Sequence, residues 1–306
     1  MKKATLYGPR DVRVEEVEEP RPGPGQVKVR VKYCGICGSD LHEYLHGAFP
    51  ASPFGHEVCG LVEELGPEVD GYVVGERVLA FMKDGYATYQ VLPKGRLMKL
   101  PDEVSWERAA VIEPLAGAAY AVERGRVQPT DTIFIAGGGP VGLMLLLAVR
   151  AFGARTVYVS EVIEKRRRLA ESFGATAVFD PREVKIPQKM RELTGGRGVD
   201  VAIEAVGVEA ALKDCLASTR RRGTVLVQGI FTERVPIHML GFVTREITMI
   251  GSNSTHPARA MEWVLAGKAE PEKIVTGIIP LARIVEDGFE VLANNKAEAV
   301  KILVEP

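Results

Sequence analysis

Apolar Val27, Val29 and Val31 alternate with Gln26, Lys28, Arg30 and Lys32, a period of two that predicts a strand with one buried face. It leads into Cys34 Gly35 Ile36 Cys37 Gly38 Ser39 Asp40, which reads as a loop. Short apolar segments at 58–65, 77–81 and 86–91 follow, parted by Gly and Pro, so the first third is expected to be mostly β. From about residue 118 the pattern changes. An apolar strand at 132–136 meets a glycine-rich turn, and a helix over 140–152 is stopped by Gly153. Beyond it the pattern predicts strands at 156–160, 177–179, 199–205, 224–228 and 247–250, with helices over 162–173 and 209–219. Strands alternating with helices imply an α/β fold, a doubly wound parallel sheet covered on both faces. The last stretch predicts helices at 259–266 and 282–293 and a closing strand at 299–304, too little for a domain of its own. The expected division is 1–117, then 118–252, with 253–306 returning to pack on the first part.

A chain of 306 residues with 46% apolar content suits two medium cores. Lys plus Arg (39) nearly balances Asp plus Glu (40), which removes the electrostatic case for nucleic acid or an anionic membrane and leaves a small, weakly charged substrate. The longest apolar run, 141–149, contains Gly142 and falls well short of the ~20 residues a bilayer demands. Met1 Lys2 Lys3 is not followed by the apolar core of a signal peptide, so a soluble cytoplasmic protein is expected. Of four cysteines only Cys34 and Cys37 are closely spaced, which argues for metal binding or burial and against a disulfide framework.

The turn after the strand at 132–136 reads Gly137 Gly138 Gly139 Pro140 Val141 Gly142. Gly137 permits a tight reversal, Gly139 lets backbone approach a pyrophosphate, and Gly142 allows close packing of helix on strand. The helix that begins at Pro140 and Val141 turns its unpaired amides toward the phosphates. Glu161, at the end of the next strand, is placed to accept hydrogen bonds from an adenosine ribose. Its charge would repel a 2′-phosphate, so NAD is favoured over NADP. Lys165, Arg166, Arg167 and Arg168 pull mildly the other way; they read as a solvated helix face, with Arg166 able to lie over the adenine edge.

Two zinc readings compete for the first third. Cys34, Cys37, His56 and Cys59 have plausible spacing for a closed structural site, whereas Cys37, His56 and a carboxylate would leave one position open for catalysis.

At this point the chain resembles, nearly end to end, the zinc-dependent medium-chain dehydrogenases and reductases, in particular the sorbitol, threonine and butanediol dehydrogenase branch. The resemblance is carried by Cys34 Gly35 Ile36 Cys37 Gly38 Ser39 Asp40 Leu41 His42 Glu43 Tyr44, by Gly55 His56 Glu57, by Ile112 Glu113 Pro114 Leu115, by the glycine turn, and by the run from Gly198 through Val199, Asp200, Val201, Ala202, Ile203, Glu204, Ala205 and Val206 to Gly207. It implies a GroES-like catalytic domain and one catalytic zinc per chain. Cys37 and His56 would be ligands, Glu57 a ligand in some states, and Glu113 a carboxylate on zinc or its water, while Cys34 and Cys59 would have no metal role. Asp40 would stand behind the histidine, since a metal-bound imidazole usually donates its other N–H to a carboxylate. Ser39 would meet the reacting oxygen and His42 would pass the proton toward solvent. His46, His238 and His256 attract no functional argument.

Many relatives insert a lobe with four closely spaced cysteines after the strand that here ends near Phe81. This chain goes from Phe81 through Met82 Lys83 Asp84 to Gly85 Tyr86 Ala87 without a cysteine, so the second zinc site is missing and pocket shape and quaternary structure are open. A homo-oligomer, dimer or tetramer, is expected. The expected activity is NAD-linked oxidation of a secondary alcohol, polyol or vicinal diol. Its rivals are an L-threonine 3-dehydrogenase-like activity, a zinc-free quinone or enone reductase, and a nucleotide-binding protein without turnover. Tyr44, Phe49 and Phe54 suit either the pocket lining or the core.

Overall fold

The computed structural model describes residues 1–47, 54–82, 84–295 and 299–306, so Phe49 lies outside the described residues. The chain divides into two compact units, one of residues 1–113 with 272–306 and one of 114–271.

In the first unit β1 (Lys2–Gly8) and β2 (Asp11–Glu16) form an antiparallel pair. β3 (Gln26–Gly35) buries Val27, Val29 and Val31, as the alternation predicts. The segment read as a loop over 34–40 is corrected: α1 (Gly38–His46) begins inside it. The Asp40 carboxylate closes the first turn by accepting the Cys37 amide at 3.1 Å, and Gly47 ends the helix at φ 64° with its amide on the Glu43 carbonyl. β4 (Glu57–Leu65), β5 (Arg77–Ala80), β6 (Tyr89–Pro93), β7 (Leu97–Lys99) and α2 (Trp106–Ala109) follow, and α3 (Ile112–Arg124) starts where the unit ends. β3 pairs antiparallel with both β4 and β6, helped by register shifts after Lys28 and Val31 that bend the strand.

The second unit reads β8 (Thr132–Ala136), α4 (Pro140–Phe152), β9 (Thr156–Ser160), α5 (Glu164–Ser172), β10 (Ala177–Phe179), α6 (Ile186–Leu193), β11 (Val199–Glu204), α7 (Glu209–Ser218), β12 (Thr219–Val227), α8 (Met239–Thr244), β13 (Thr248–Gly251) and α9 (Pro257–Leu265). Its sheet is parallel throughout in the order β10-β9-β8-β11-β12-β13, the doubly wound arrangement expected, with the strand order reversing between β8 and β11. β12 starts ahead of the expected residue 224. Its Arg220 Arg221 Arg222 run looks like a polar turn but is drawn into the strand by Asp200 Oδ1, which accepts from Arg220 Nε at 2.6 Å.

The chain then returns to the first unit through β14 (Val275–Pro280), a π-helical turn Ile284–Phe289, α10 (Glu290–Asn294) and β15 (Lys301–Glu305). β15 lies between β14 and β3 and completes the order β14-β15-β3-β4-β5-β7, with β6 also on β3. The expected boundaries at 117 and 252 fall at 113 and 271. α9 stays with the second unit because Met261, Trp263 and Val264 are buried there and the His256 amide donates to the Ala116 carbonyl at 2.9 Å. Tyr44 stacks on Phe289 at 4.7 Å and Phe54 meets the edge of Tyr86 at 4.9 Å; all four are core residues, which settles Tyr44 and Phe54 as packing. Among the described residues no helix is long and apolar enough to cross a membrane.

Candidate active site

Cys37 caps the N-terminus of α1, and His56 and Glu57 stand at the entry to β4. A thiol sulfur, an imidazole nitrogen and a carboxylate oxygen from these three lie within 4.8 Å of one another. That donor set suits a divalent ion such as zinc. Asp40 sits behind it, almost wholly buried. Its Oδ2 accepts the Cys37 amide at 3.1 Å and the Tyr86 hydroxyl at 2.8 Å, while Oδ1 accepts the Gly55 amide at 3.1 Å and lies 3.5 Å from His56 Nδ1. Burial alone would raise the Asp40 pKa, but His56, Tyr86 and the Cys37 amide hold it below the usual carboxylate range. Burial alone would lower His56; the neighbouring Asp40 carboxylate and Cys37 side chain reverse this and push it up to about 12. Surroundings that so favour positive charge on an imidazole have electrostatics that fit a bound cation.

Glu57 is fully buried and already engaged. Lys301 Nζ, on β15, donates to its Oε1 at 2.7 Å and Oε2 at 2.8 Å, and to the Ile36 carbonyl at 2.9 Å. Any Cβ at Gly35 would fall 2.2 Å from Glu57 Oε2, so glycine is required there for the carboxylate to fit. Lys301 escaped the sequence reading. The available signal was a lysine set among Val300, Ile302, Leu303 and Val304 in a buried strand, where an ammonium must find a carboxylate. Glu113 occupies the first turn of α3, its pKa raised to about 7 by burial and then by Glu57, with His56 and Lys301 opposing.

Cys34 and Cys59 do not join this cluster, which removes the closed four-ligand reading. Both are buried with their thiols on backbone carbonyls, Cys34 on Gly35 and Cys59 on Tyr33 and Trp106, and burial raises both pKa values. Ser39 and His42 stand three residues apart on α1, both half-buried. His42 is held below its usual value by burial and by neighbouring His46.

In the second unit Gly137 reverses the chain at φ 106° directly after β8, and a Cβ on Gly142 would lie 1.9 Å from the Gly137 carbonyl oxygen. Gly139 caps α4, with Pro140, Val141 and Gly142 in its first turn. Glu161 follows β9 and is buried, its Oε2 accepting the Gly138 amide at 2.8 Å and its Oε1 the Ile163 amide at 2.9 Å. Two of the basic residues on α5 are committed elsewhere, Arg167 to Asp180 and the Glu161 carbonyl and Arg168 to Glu164. Arg166 lies against the turn, with one guanidinium nitrogen 3.7 Å from where a Gly139 Cβ would be. Glu204, at the end of β11, accepts the Val206 and Gly207 amides at 2.8 Å and shapes the neighbouring loop, a role the sequence reading missed.

Residues 23–102 match the alcohol dehydrogenase GroES-like domain, and residues 140–266 match the zinc-binding dehydrogenase family. An (R,R)-butanediol dehydrogenase of Bacillus subtilis is 35% identical over 348 aligned positions that cover 100% of both chains. The chain belongs to the zinc-dependent medium-chain dehydrogenase/reductase family. A sorbitol dehydrogenase of the same organism is 31% identical, covering 100% of this chain and 97% of its own. The solved structure of a zinc-binding dehydrogenase from Sinorhizobium meliloti bound to NADP superposes with TM-score 0.91 at 31% identity, over 100% of this chain and 99% of that one. This dehydrogenase, at 306 residues, is shorter than the 348-position alignment and lacks the four-cysteine lobe: β5 ends at Ala80 and β6 begins at Tyr89 with no cysteine between.

The buried ion pair is testable by itself. Lys301→Met should destabilise the first unit by about 3–5 kcal/mol, because it strands the Glu57 charge, and adding Glu57→Gln should recover much of that loss. Chemical denaturation of the two variants measures it; equal stability of Lys301→Met and the parent protein would show that the pair contributes nothing.

Both raised pKa values in the cluster mean that the metal-free folded chain holds protons its unfolded form releases. Glu113 does so between its ordinary value of 4.5 and about 7, and His56 between 6.5 and about 12. Stability from both is present at low pH and falls as pH rises through these windows. Metal-free protein should therefore melt at a lower temperature at pH 8.5 than at pH 6. Glu113→Gln should flatten the fall below pH 7 alone, and zinc should stabilise more at the higher pH because it displaces these protons. A melting temperature that rises with pH in metal-free protein would contradict the assignment.

Proposed function

We propose that this dehydrogenase oxidises a secondary alcohol carrying a neighbouring hydroxyl, a short vicinal diol or a sugar alcohol, to the ketone with NAD as acceptor. The observation that carries the reading is the cluster of Cys37, His56 and Glu57, whose thiol, imidazole and carboxylate donor atoms lie within 4.8 Å of one another, with the Glu113 carboxyl raised by burial and by the nearby Glu57. A zinc ion held by Cys37, His56 and Glu113 would supply Lewis acidity to the hydroxyl oxygen, and bound NAD the hydride acceptor. Asp40 fixes the ring of His56. Lys301 holds the Glu57 carboxylate back, so that Glu57 serves as a ligand only when that ion pair opens. Ser39 receives the hydroxyl proton and His42 carries it toward solvent. A zinc-free enone reductase would have no use for the clustered thiol and imidazole.

Zinc analysis should give one ion per chain. Cys37→Ala should lower kcat/KM by roughly a thousandfold or more while circular dichroism stays unchanged. Matched pairs decide the substrate class: 2,3-butanediol should exceed 2-butanol in kcat/KM, with L-threonine as a further arm. Equal or better turnover of simple alcohols, or a preference for threonine, would overturn the diol and polyol assignment.

The NAD preference is supported by Glu161, whose two backbone hydrogen bonds fix an anion beside the glycine turn. Glu161→Ser should narrow the preference by removing the charge a 2′-phosphate would meet, with Arg166 close at hand. The Sinorhizobium relative bound to NADP shows that a similar fold accepts the phosphorylated coenzyme. A higher kcat/KM with NADP in the unaltered protein would refute the preference.

We further propose a homodimer as the basic assembly. Strand β13 is the open edge of its sheet, and Met249 on it and Met239, Leu240 and Val243 on α8 are exposed. Sedimentation as a monomer at micromolar concentration would refute this. The four free thiols fit the reducing cytoplasm, which cell fractionation can check.

A further inference from the structure

We propose that His42 and His46 form a second metal site, separate from the Cys37 cluster, for a late first-row divalent ion such as Ni²⁺. The two residues lie four apart on α1, on one face of the helix, with ring centroids 4.7 Å apart and ring planes tilted by 45°. Two imidazoles one helical turn apart can converge on a single ion as adjacent ligands. His46 is exposed and His42 half-buried, so the pair is reachable from solvent. Neither ring is tied by a hydrogen bond among the described residues. His46 also belongs to the last turn of the helix, where the exposed carbonyls favour a cation.

The ligand count sets the character of the site. Among the described residues the group of three or more metal-ligating side chains is Cys37, His56 and Glu57, so the pair offers two protein ligands and leaves the rest to water. Imidazole selects nickel, copper and zinc over manganese or magnesium, and a two-imidazole site holds its ion more weakly than a site with thiolate and carboxylate. Glu43, which with the two histidines completes a His-Glu-x-x-His spacing, is buried, so no hydrolytic role follows.

One consequence rests on the proposed proton path. An ion on His42 occupies the lone pair that would accept the outgoing proton, so excess metal should slow turnover by capturing an outlying group while the resident zinc stays in place.

Zinc-loaded enzyme titrated with nickel chloride in a calorimeter, with zinc release followed in parallel, tests the site. One Ni²⁺ per chain should bind without displacing zinc, and His46→Ala and His46→Gln should each weaken that binding by about tenfold or more. Both variants should keep the basal kcat/KM and lose the inhibition by nickel. Unchanged nickel affinity in both variants, or zinc released in step with nickel bound, would overturn the proposal. Nickel binding that depends on His46 but leaves wild-type turnover untouched would uphold the site and count against His42 as the proton carrier.

Discussion

The first unit turns on one buried ion pair. Glu57 opens β4, Lys301 lies in β15 some 244 residues later, and the ammonium also reaches the Ile36 carbonyl just beyond β3. Moving two charges out of water costs several kcal/mol each, and that cost is met only when every donor and acceptor is matched. Here the ammonium makes three hydrogen bonds and the carboxylate uses both oxygens. The pair therefore tolerates one register of β15 on β3 and one backbone at Gly35, whose missing side chain makes room for the carboxylate. The C-terminal return is as much a part of the site as the cysteine loop.

The same pair divides the labour among the acids. Glu57 is committed to Lys301 and Asp40 to three donors and the neighbouring imidazole, so of the three acids only Glu113 has no ion-pair or hydrogen-bond partner for its carboxylate among the described residues. Its raised pKa is the electrostatic trace of that position. Asp40 and Glu57 shape the cluster through these bonds, and in the proposed site Glu113 is the carboxylate left to answer the charge of the ion.

How much of this could be read beforehand follows from range. The parallel sheet and its glycine turn were legible because apolar runs and Gly137, Gly139 and Gly142 act over a few residues, and the grouping of Cys37, His56 and Glu57 because they sit in recognisable motifs. α1 was hidden because its start is fixed by the Asp40 carboxylate on the Cys37 amide, a contact that leaves no apolar period. Lys301 was hidden for the opposite reason, since its partner lies at the other end of the chain. The helix expected over 282–293 is broken into a π turn and a short α10; Gly288 there packs so closely that a Cβ would lie 2.8 Å from the Ile36 side chain. Glu161 was placed correctly along the chain, but its two bonds to Gly138 and Ile163 amides required the folded turn.

Charge balance links the site to its proposed substrate. With Glu57 neutralised by Lys301 and Asp40 satisfied by its donors, a divalent ion held as proposed would draw its two balancing negative charges from Cys37 and Glu113. A carboxylate at residue 113 gives the same formal charge as a second thiolate would, but it is a harder donor that passes less electron density to the ion. An ion held this way keeps more of its pull on oxygen and has room for another oxygen ligand. A substrate that brings two adjacent oxygens gains from both effects, whereas a simple alcohol gains from one. The proposed preference for a vicinal diol over its mono-alcohol thus rests on Glu113 and the commitment of Glu57 to Lys301, before any side chain of the substrate pocket is considered.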